Sequence, residues 1–249
     1  MMFPWPDLNI PSYYPATLGP WTLRKCEQLS QLGYFQDRQG AGDVYALLRD
    51  GESWMSTAWD EIESQAPHLA AAKGHVVVMG AGMGVILYNI LLKNQVTQVT
   101  LVERDPLVID LLRQITNLNE WVGIDKLHID IVDAFDYRPV QPVDFLYVDI
   151  WANPGDPDAL LHTQQIQEQV HAATVGWWTQ EIEFLFWLER NGYGAVPTLT
   201  LYREWARETG LPLIEQDNPA YADCIAQVAR SYCYRTVRER LSHAANTVL

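Results

Sequence analysis

The sequence predicts an α/β fold: a mostly parallel sheet with helices on both faces, a small N-terminal β-hairpin region, and an atypical all-helical C-terminal part. Three observations predict it. First, residues 75–103 read as strand, glycine turn, helix, strand, acid. The β-branched run Val76–Val78 ends in Gly80, Gly82 and Gly84, the apolar segment 85–92 follows, and residues 97–102 form a second strand with Glu103 at its tail. Second, strands and helices keep alternating as far as Asp149, and such alternation builds a parallel sheet. Third, helical spacing replaces strand alternation beyond residue 155.

Taken in order, residues 1–20 hold five prolines and several aromatics, which suits an ordered arm wrapping the domain. Residues 22–32 are expected to form a short helix. A strand over 44–48 meets Asp50-Gly51, a hairpin signal. Residues 60–72 read as a helix with Asp60 near its start and Gly74 as its stop. Asp105-Pro106 opens another, with Asp as N-cap and Pro at the first helical position. Its apolar face is Leu107, Leu111, Leu112, Ile115 and Leu118. A third strand, 127–132, ends in Asp133-Ala134, and a fourth, 143–148, ends in Asp149. Helices are expected at 158–173, 178–190, 199–209 and 219–241, with residues 172–177 the best choice for a fifth strand. This divides the chain into an arm and hairpin region (1–58), a nucleotide-binding core (59–155) and a helical region forming a lid and substrate pocket (156–249).

Composition narrows the partners. The net charge is −14, with 31 acids against 17 bases, which repels phosphate backbones and disfavours nucleic acid. Cys26, Cys224 and Cys233 lack metal-type spacing, and the six histidines form no ligand cluster, so no metal is expected. The first residues carry no signal-peptide pattern, and no apolar run approaches the ~20 residues that span a bilayer. A cytoplasmic protein acting on a small molecule, with no membrane partner, is the expectation. The oligomeric state stays open, a homodimer being one option. No Gly-x-Ser-x-Gly elbow supports nucleophilic hydrolysis.

The glycine order narrows the ligand. A dinucleotide fingerprint runs G-x-G-x-x-G, whereas here it runs G-x-G-x-G and Val85 takes the third glycine's place. Close passage of a pyrophosphate is disfavoured relative to a nucleoside without phosphate. The pattern resembles the S-adenosylmethionine-binding loop of class I methyltransferases and their relatives, the polyamine synthases. Over residues 50–155 that resemblance implies a Rossmann-like core. It implies that Gly80, Ala81, Gly82 and Gly84 pack against the methionine part of S-adenosyl-L-methionine, that Glu103 binds the ribose hydroxyls, that Asp133 and Ala134 meet the adenine amine, and that Asp149 faces the reacting centre. The residue chemistry agrees, because carboxylates accept well from vicinal hydroxyls and exocyclic amines. Each of these acids, Asp133 among them, could instead serve only as a helix cap.

Within the superfamily the spermidine synthase-like branch is most similar. Val78-Met79 precedes the loop, and Asp50-Gly51 and Asp60-Glu61 repeat that branch's upstream layout. The substrate positions differ: Trp54, Ser64 and Ala66 replace its glutamine, tyrosine and glutamate, and residues 149–154 replace its Asp-Ser-Ser-Asp-Pro. The reading is therefore methyl transfer to a small acceptor, an amine being the class that the acidic, aromatic composition favours. Aminopropyl transfer from decarboxylated S-adenosylmethionine is one alternative, and a non-catalytic interaction protein on the same fold is another. The catalytic candidates are Asp149, which could orient an amine or take its proton, with Trp151 and Asn153. Trp151 reads equally as an aromatic wall or a packing residue. Trp178 and Glu181 are candidate substrate contacts, because an acid among apolar neighbours needs a partner or a pocket.

Overall fold

A computed structural model describes residues 3–247; Met1, Met2, Val248 and Leu249, the extremes of the first and last expected regions, lie outside the described residues. The expected hairpin region is a four-stranded antiparallel sheet, β1 (Ala16–Leu18), β2 (Trp21–Leu32), β3 (Gln39–Arg49) and β4 (Glu52–Ser56), in that order. Asp50 and Gly51 form the β3–β4 turn with φ of 51° and 87°, both in the left-handed region that such tight hairpins require. The helix expected over 22–32 is β2 instead. Its residues pair with β3 from Trp21↔Arg49 to Leu32↔Gln39. Trp21 and Leu23 alternate inward with polar neighbours, and this pairing outweighs the helix propensity of the Arg, Lys, Glu and Gln between them.

The proline-rich arm is ordered. Trp5, Leu8 and Tyr13 are buried, Asn9 N–H donates to the Asn89 side chain (2.8 Å), and the Tyr13 hydroxyl donates to the Met83 carbonyl (2.9 Å). The arm is thereby fastened to the glycine loop. The helix expected over 60–72 is two short ones, α1 (Trp59–Ser64) and α2 (Ala66–Ala71), joined at Gln65. Pro67 explains the break, since it has no N–H to donate to the preceding turn.

The core then runs β5 (Gly74–Met79), α3 (Val85–Leu91), β6 (Val96–Glu103), α4 (Pro106–Thr116), β7 (Leu127–Ile131), β8 (Phe145–Val148), α5 (Ala159–Val170) and β9 (Thr174–Trp177). All five strands are parallel, in the order β7-β6-β5-β8-β9, with helices packed against the sheet. This is a Rossmann-like arrangement. The chain winds outward from β5 to β7, then returns to lay β8 and β9 on the other side. The order therefore reverses at β5, and the crevice at the carboxyl ends there is where such sheets bind ligands. Asp105 caps α4 as its sequence indicates, accepting from Leu107 N–H (2.9 Å) and from the Trp21 indole (2.8 Å).

Four helices complete the chain: α6 (Gln180–Arg190), α7 (Leu199–Thr209), α8 (Pro219–Val228) and α9 (Tyr232–Thr247). The helix expected over 219–241 is divided between α8 and α9. The region after residue 155 is not purely helical, since β9 lies within it. Residues 212–214 then cover the open edge of β9, with Val175 N–H donating to Pro212 (2.9 Å) and Ile214 N–H to Val175 (3.1 Å). Covering an edge this way removes a row of unpaired backbone groups.

Candidate active site

The site begins where β5 and β8 end side by side. Gly80 has φ +96°, and a Cβ there would lie 2.0 Å from the Asp149 carbonyl oxygen. Only glycine lets the two strand tips approach this closely. Gly84, at φ +74°, starts α3, and a Cβ would press Leu112 and Trp121 at 2.9 Å. Glu103 holds the loop from β6: its carboxylate accepts from Ala81 N–H (3.0 Å) and from Asp105 N–H (2.9 Å), one on each oxygen. Each oxygen retains acceptor capacity. Asp133 serves its own turn, Oδ1 accepting from Phe135 N–H (3.0 Å), while Oδ2 lies 3.9 Å from the Arg104 guanidinium. Gly80, Gly82, Glu103, Asp133, Ala134 and Asp149 line one crevice of about 80 Å³, with Trp54 and Arg104 also on its walls.

Asp149 continues into a narrower recess beneath the loop, shared with Ala81, Glu61, Trp151 and Trp178. Burial pushes the Asp149 carboxyl up to about 7, opposed by a long hydrogen bond from the Tyr147 hydroxyl (3.3 Å). Burial also holds Glu61 well above the ordinary carboxylate range, against hydrogen bonds from the Ser56 hydroxyl (2.9 Å) and N–H (2.7 Å); the charges of Asp60 and Asp149 add to the rise. Among the described residues no Lys, Arg or His lines this recess. Trp151 is both wall and packing residue: it is buried and its indole donates to His162 Nδ1 (3.1 Å).

The recess adjoins a cavity of about 430 Å³ whose lining includes Tyr34, Trp54, Asp60, Glu61, Asn153 and Trp178. Burial raises Asp60 too. The Trp178 indole is held by Ser64 Oγ (3.0 Å). One face of α9 closes the cavity through residues 232, 233, 236, 237 and 240, spaced one turn apart. Its exposed Arg240 is the one basic lining residue among those described.

The fold thus gathers Gly80, Ala81, Gly82, Glu103, Asp133, Ala134, Asp149, Trp151 and Trp178 along one connected set of clefts; Gly84 shapes the loop from behind, and Asn153 lies out at the wide cavity. Glu181 departs from its expected role as a direct substrate contact. It is fully buried and accepts from the hydroxyls of Tyr34 and Tyr221, so it sits one side chain behind the cavity wall. Sequence reasoning missed Trp54, Asp60, Glu61 and Tyr34 as lining residues. Asp60-Glu61 carried a signal in its spacing from the loop; Tyr34, in the β2–β3 connection, carried none.

No protein-family model and no curated protein matches the chain. Solved structures to which it is similar include methyltransferases and spermidine synthase. They include spermidine synthase from Thermotoga maritima (18% identity, TM-score 0.38, covering 63% of this chain and 53% of that one). They include DhpI in its complex with SAH (18%, TM-score 0.30, 41% and 44%) and the 23S rRNA methyltransferase ErmE (20%, TM-score 0.29, 37% and 36%). The chain thus spans between a third and just over half of these three structures.

Proposed function

We propose that this protein is a transferase that uses an S-adenosyl nucleoside to alkylate a small amine. The carrying observation is the half-buried carboxylate set Asp60, Glu61 and Asp149, which runs from the glycine loop into the 430 Å³ cavity, where the exposed Arg240 is the one basic lining residue among those described. Carboxyls partly withdrawn from water without a cationic partner are costly, and a bound ammonium would relieve that cost. Trp54, Trp151 and Trp178 add aromatic faces that favour cations.

The residues present fit the nucleoside: the loop has no side chains at Gly80 and Gly82, Glu103 and Asp133 retain free acceptor positions, and both line the crevice with Trp54. When bound, the nucleoside supplies an electrophilic carbon on a sulfonium. Asp149, with a carboxyl near 7, is matched to accept the proton an attacking amine must lose at neutral pH. The tryptophan walls and α9 exclude water and restrict the acceptor's orientations, which is where most of the acceleration of a displacement arises. The acidic balance of the chain also argues against a nucleic-acid acceptor.

Methyl transfer is the first reading. One observation favours aminopropyl transfer: the recess under the loop presents Glu61 and Asp149, which suit a decarboxylated nucleoside better than a methionine carboxylate. A thermal-shift comparison decides. Stabilisation by S-adenosylmethionine supports methyl transfer, and selective stabilisation by the decarboxylated form supports aminopropyl transfer. No shift with either nucleoside at millimolar concentration overturns the transferase reading and leaves a non-catalytic interaction protein.

A further inference from the structure

Strand β4 does not run evenly beside β3. Leu47 is opposite Met55 and Leu48 is opposite Ser53, so Trp54 is the extra residue of a β-bulge. In an unbroken strand neighbouring side chains point to opposite faces, whereas a bulge re-aims one of them. Here Ser53, Trp54 and Met55 all line the 430 Å³ cavity, and Trp54 and Met55 both line the recess under the glycine loop. Met55 fastens the strand there: its Sδ accepts from Met83 N–H (3.2 Å), and a Cβ on Gly82 would lie 2.7 Å from it. The Trp54 indole is held by Trp21, edge-to-face with ring centres 5.3 Å apart, and by the Arg49 guanidinium, 5.9 Å from its centre.

Trp54 also lines the crevice that holds Glu103 and Asp133. Among the described residues it alone borders crevice, recess and cavity together; Asp149 borders the first two and Glu61 the last two. A nucleoside in the crevice and an acceptor in the cavity react where these spaces meet, because both have to reach the transferred carbon. We propose that Trp54 recognises the sulfonium: its indole flanks the positive sulfur of the bound donor and distinguishes it from the neutral thioether left after transfer. The amine's lone pair forms the new N–C bond and the C–S bond breaks. Its electrons stay on sulfur and cancel the charge, and the amine proton passes to Asp149. Trp54 is then a specificity-determining residue for charge at sulfur, which favours exchange of spent nucleoside for fresh donor. The inference rests on the transferase reading above, and it holds for methyl and aminopropyl donors alike, since both are sulfoniums. An aromatic face attracts a cation through its quadrupole, Trp most strongly, and a neutral thioether gains none of that attraction. Asp149 and Glu61 favour the same charge, so the test alters the ring and leaves them in place.

The test is calorimetric titration of the full chain with S-adenosylmethionine and with S-adenosylhomocysteine, or with the decarboxylated pair if that is the donor bound. The quantity read is the ratio of the two affinities, which a residue serving only as a wall does not move. Trp54→Leu is expected to lower the preference for sulfonium over thioether about 3-fold to 30-fold, the range of a cation–π contact. Trp54→Phe, which keeps an aromatic face, is expected to retain most of that preference. A Leu variant whose ratio stays within about 2-fold of wild type overturns the inference, whether both affinities fall or neither changes, while the transferase reading survives. Equal losses in the Phe and Leu variants also overturn it, since bulk and not the aromatic face would then be the cause. Should Trp54→Leu not fold, Trp54→Gln removes the ring equally and gives the same comparison. A wild-type chain that binds neither nucleoside refutes the transferase reading, and this inference with it.

Discussion

At the scale of single residues, the site depends on carboxyls whose surroundings set different tasks. Asp149 is proposed as the proton acceptor, and Asp149→Asn is expected to lower kcat about 100-fold or more, the usual worth of a general base, while nucleoside affinity changes little. Because burial brings the Asp149 carboxyl up to about 7, the rate of the proposed transfer by the wild-type chain should rise with pH through that region as the carboxylate form accumulates. A steady-state pH profile with a flat limb from about pH 6 to 8 would remove Asp149 from that role. Glu103 has two tasks, since its oxygens also clamp Ala81 and Asp105. Glu103→Ala is expected to weaken S-adenosylmethionine binding several-fold to about 100-fold, as loss of a charge-assisted hydrogen bond predicts. Calorimetry showing unchanged affinity would place the ribose elsewhere.

At the scale of elements, the contact between the tips of β5 and β8 sets the geometry of the loop. Gly80→Ala would place a methyl 2.0 Å from the Asp149 carbonyl oxygen, at a φ of +96° that alanine rarely adopts. The strands must part, so loss of nucleoside binding together with a lowered Tm is expected, measured by calorimetry and thermal melting. The start of α4 is held in a simpler way. Asp105→Ala removes both the cap and the acceptor for Trp21, and is expected to cost about 1–2 kcal/mol, readable by urea unfolding. Those two elements were legible in the sequence to different depths. Asp105-Pro106 announces its helix through two local residues. The strand at 21–32 is not announced, because its β-structure comes from pairing with β3, a partner on the far side of a turn.

At the scale of the molecule, burial raises the carboxyls of Asp60, Glu61, Glu63, Asp149, Glu181 and Glu215, while it lowers His68 to about 3. A raised carboxyl binds its proton more tightly in the folded chain, so its contribution is greatest below the unfolded value of about 4 and is lost as pH rises through the folded one. For Asp149 and Glu181 that loss is complete above about 7. His68 acts in the opposite sense: its contribution is present above about 6.5 and lost toward about 3. The carboxyls outnumber it, and the −14 net charge adds self-repulsion at higher pH. Tm is therefore expected to be higher near about pH 6 than near about pH 8.5, with Asp149→Asn reducing the difference. A Tm that rises with pH across that interval would contradict the burial of these groups.

The sequence by itself determined the parallel core, the glycine loop, and the acids at the ends of β6, β7 and β8, because each is written in residues close together along the chain. Hydrophobic period, turn glycines and a strand-end acid are local properties, and burial enforces them. Only the tertiary structure decided that Trp54, Asp60 and Glu61 meet the loop, that α9 closes the cavity, and that Glu181 stands behind Tyr34. Tyr34 and Glu181 are 147 positions apart, and Tyr221 of α8 holds the other oxygen of the carboxyl. Such a contact has no period and no motif; it exists because the helices after β9 pack back against the β2–β3 connection that carries Tyr34.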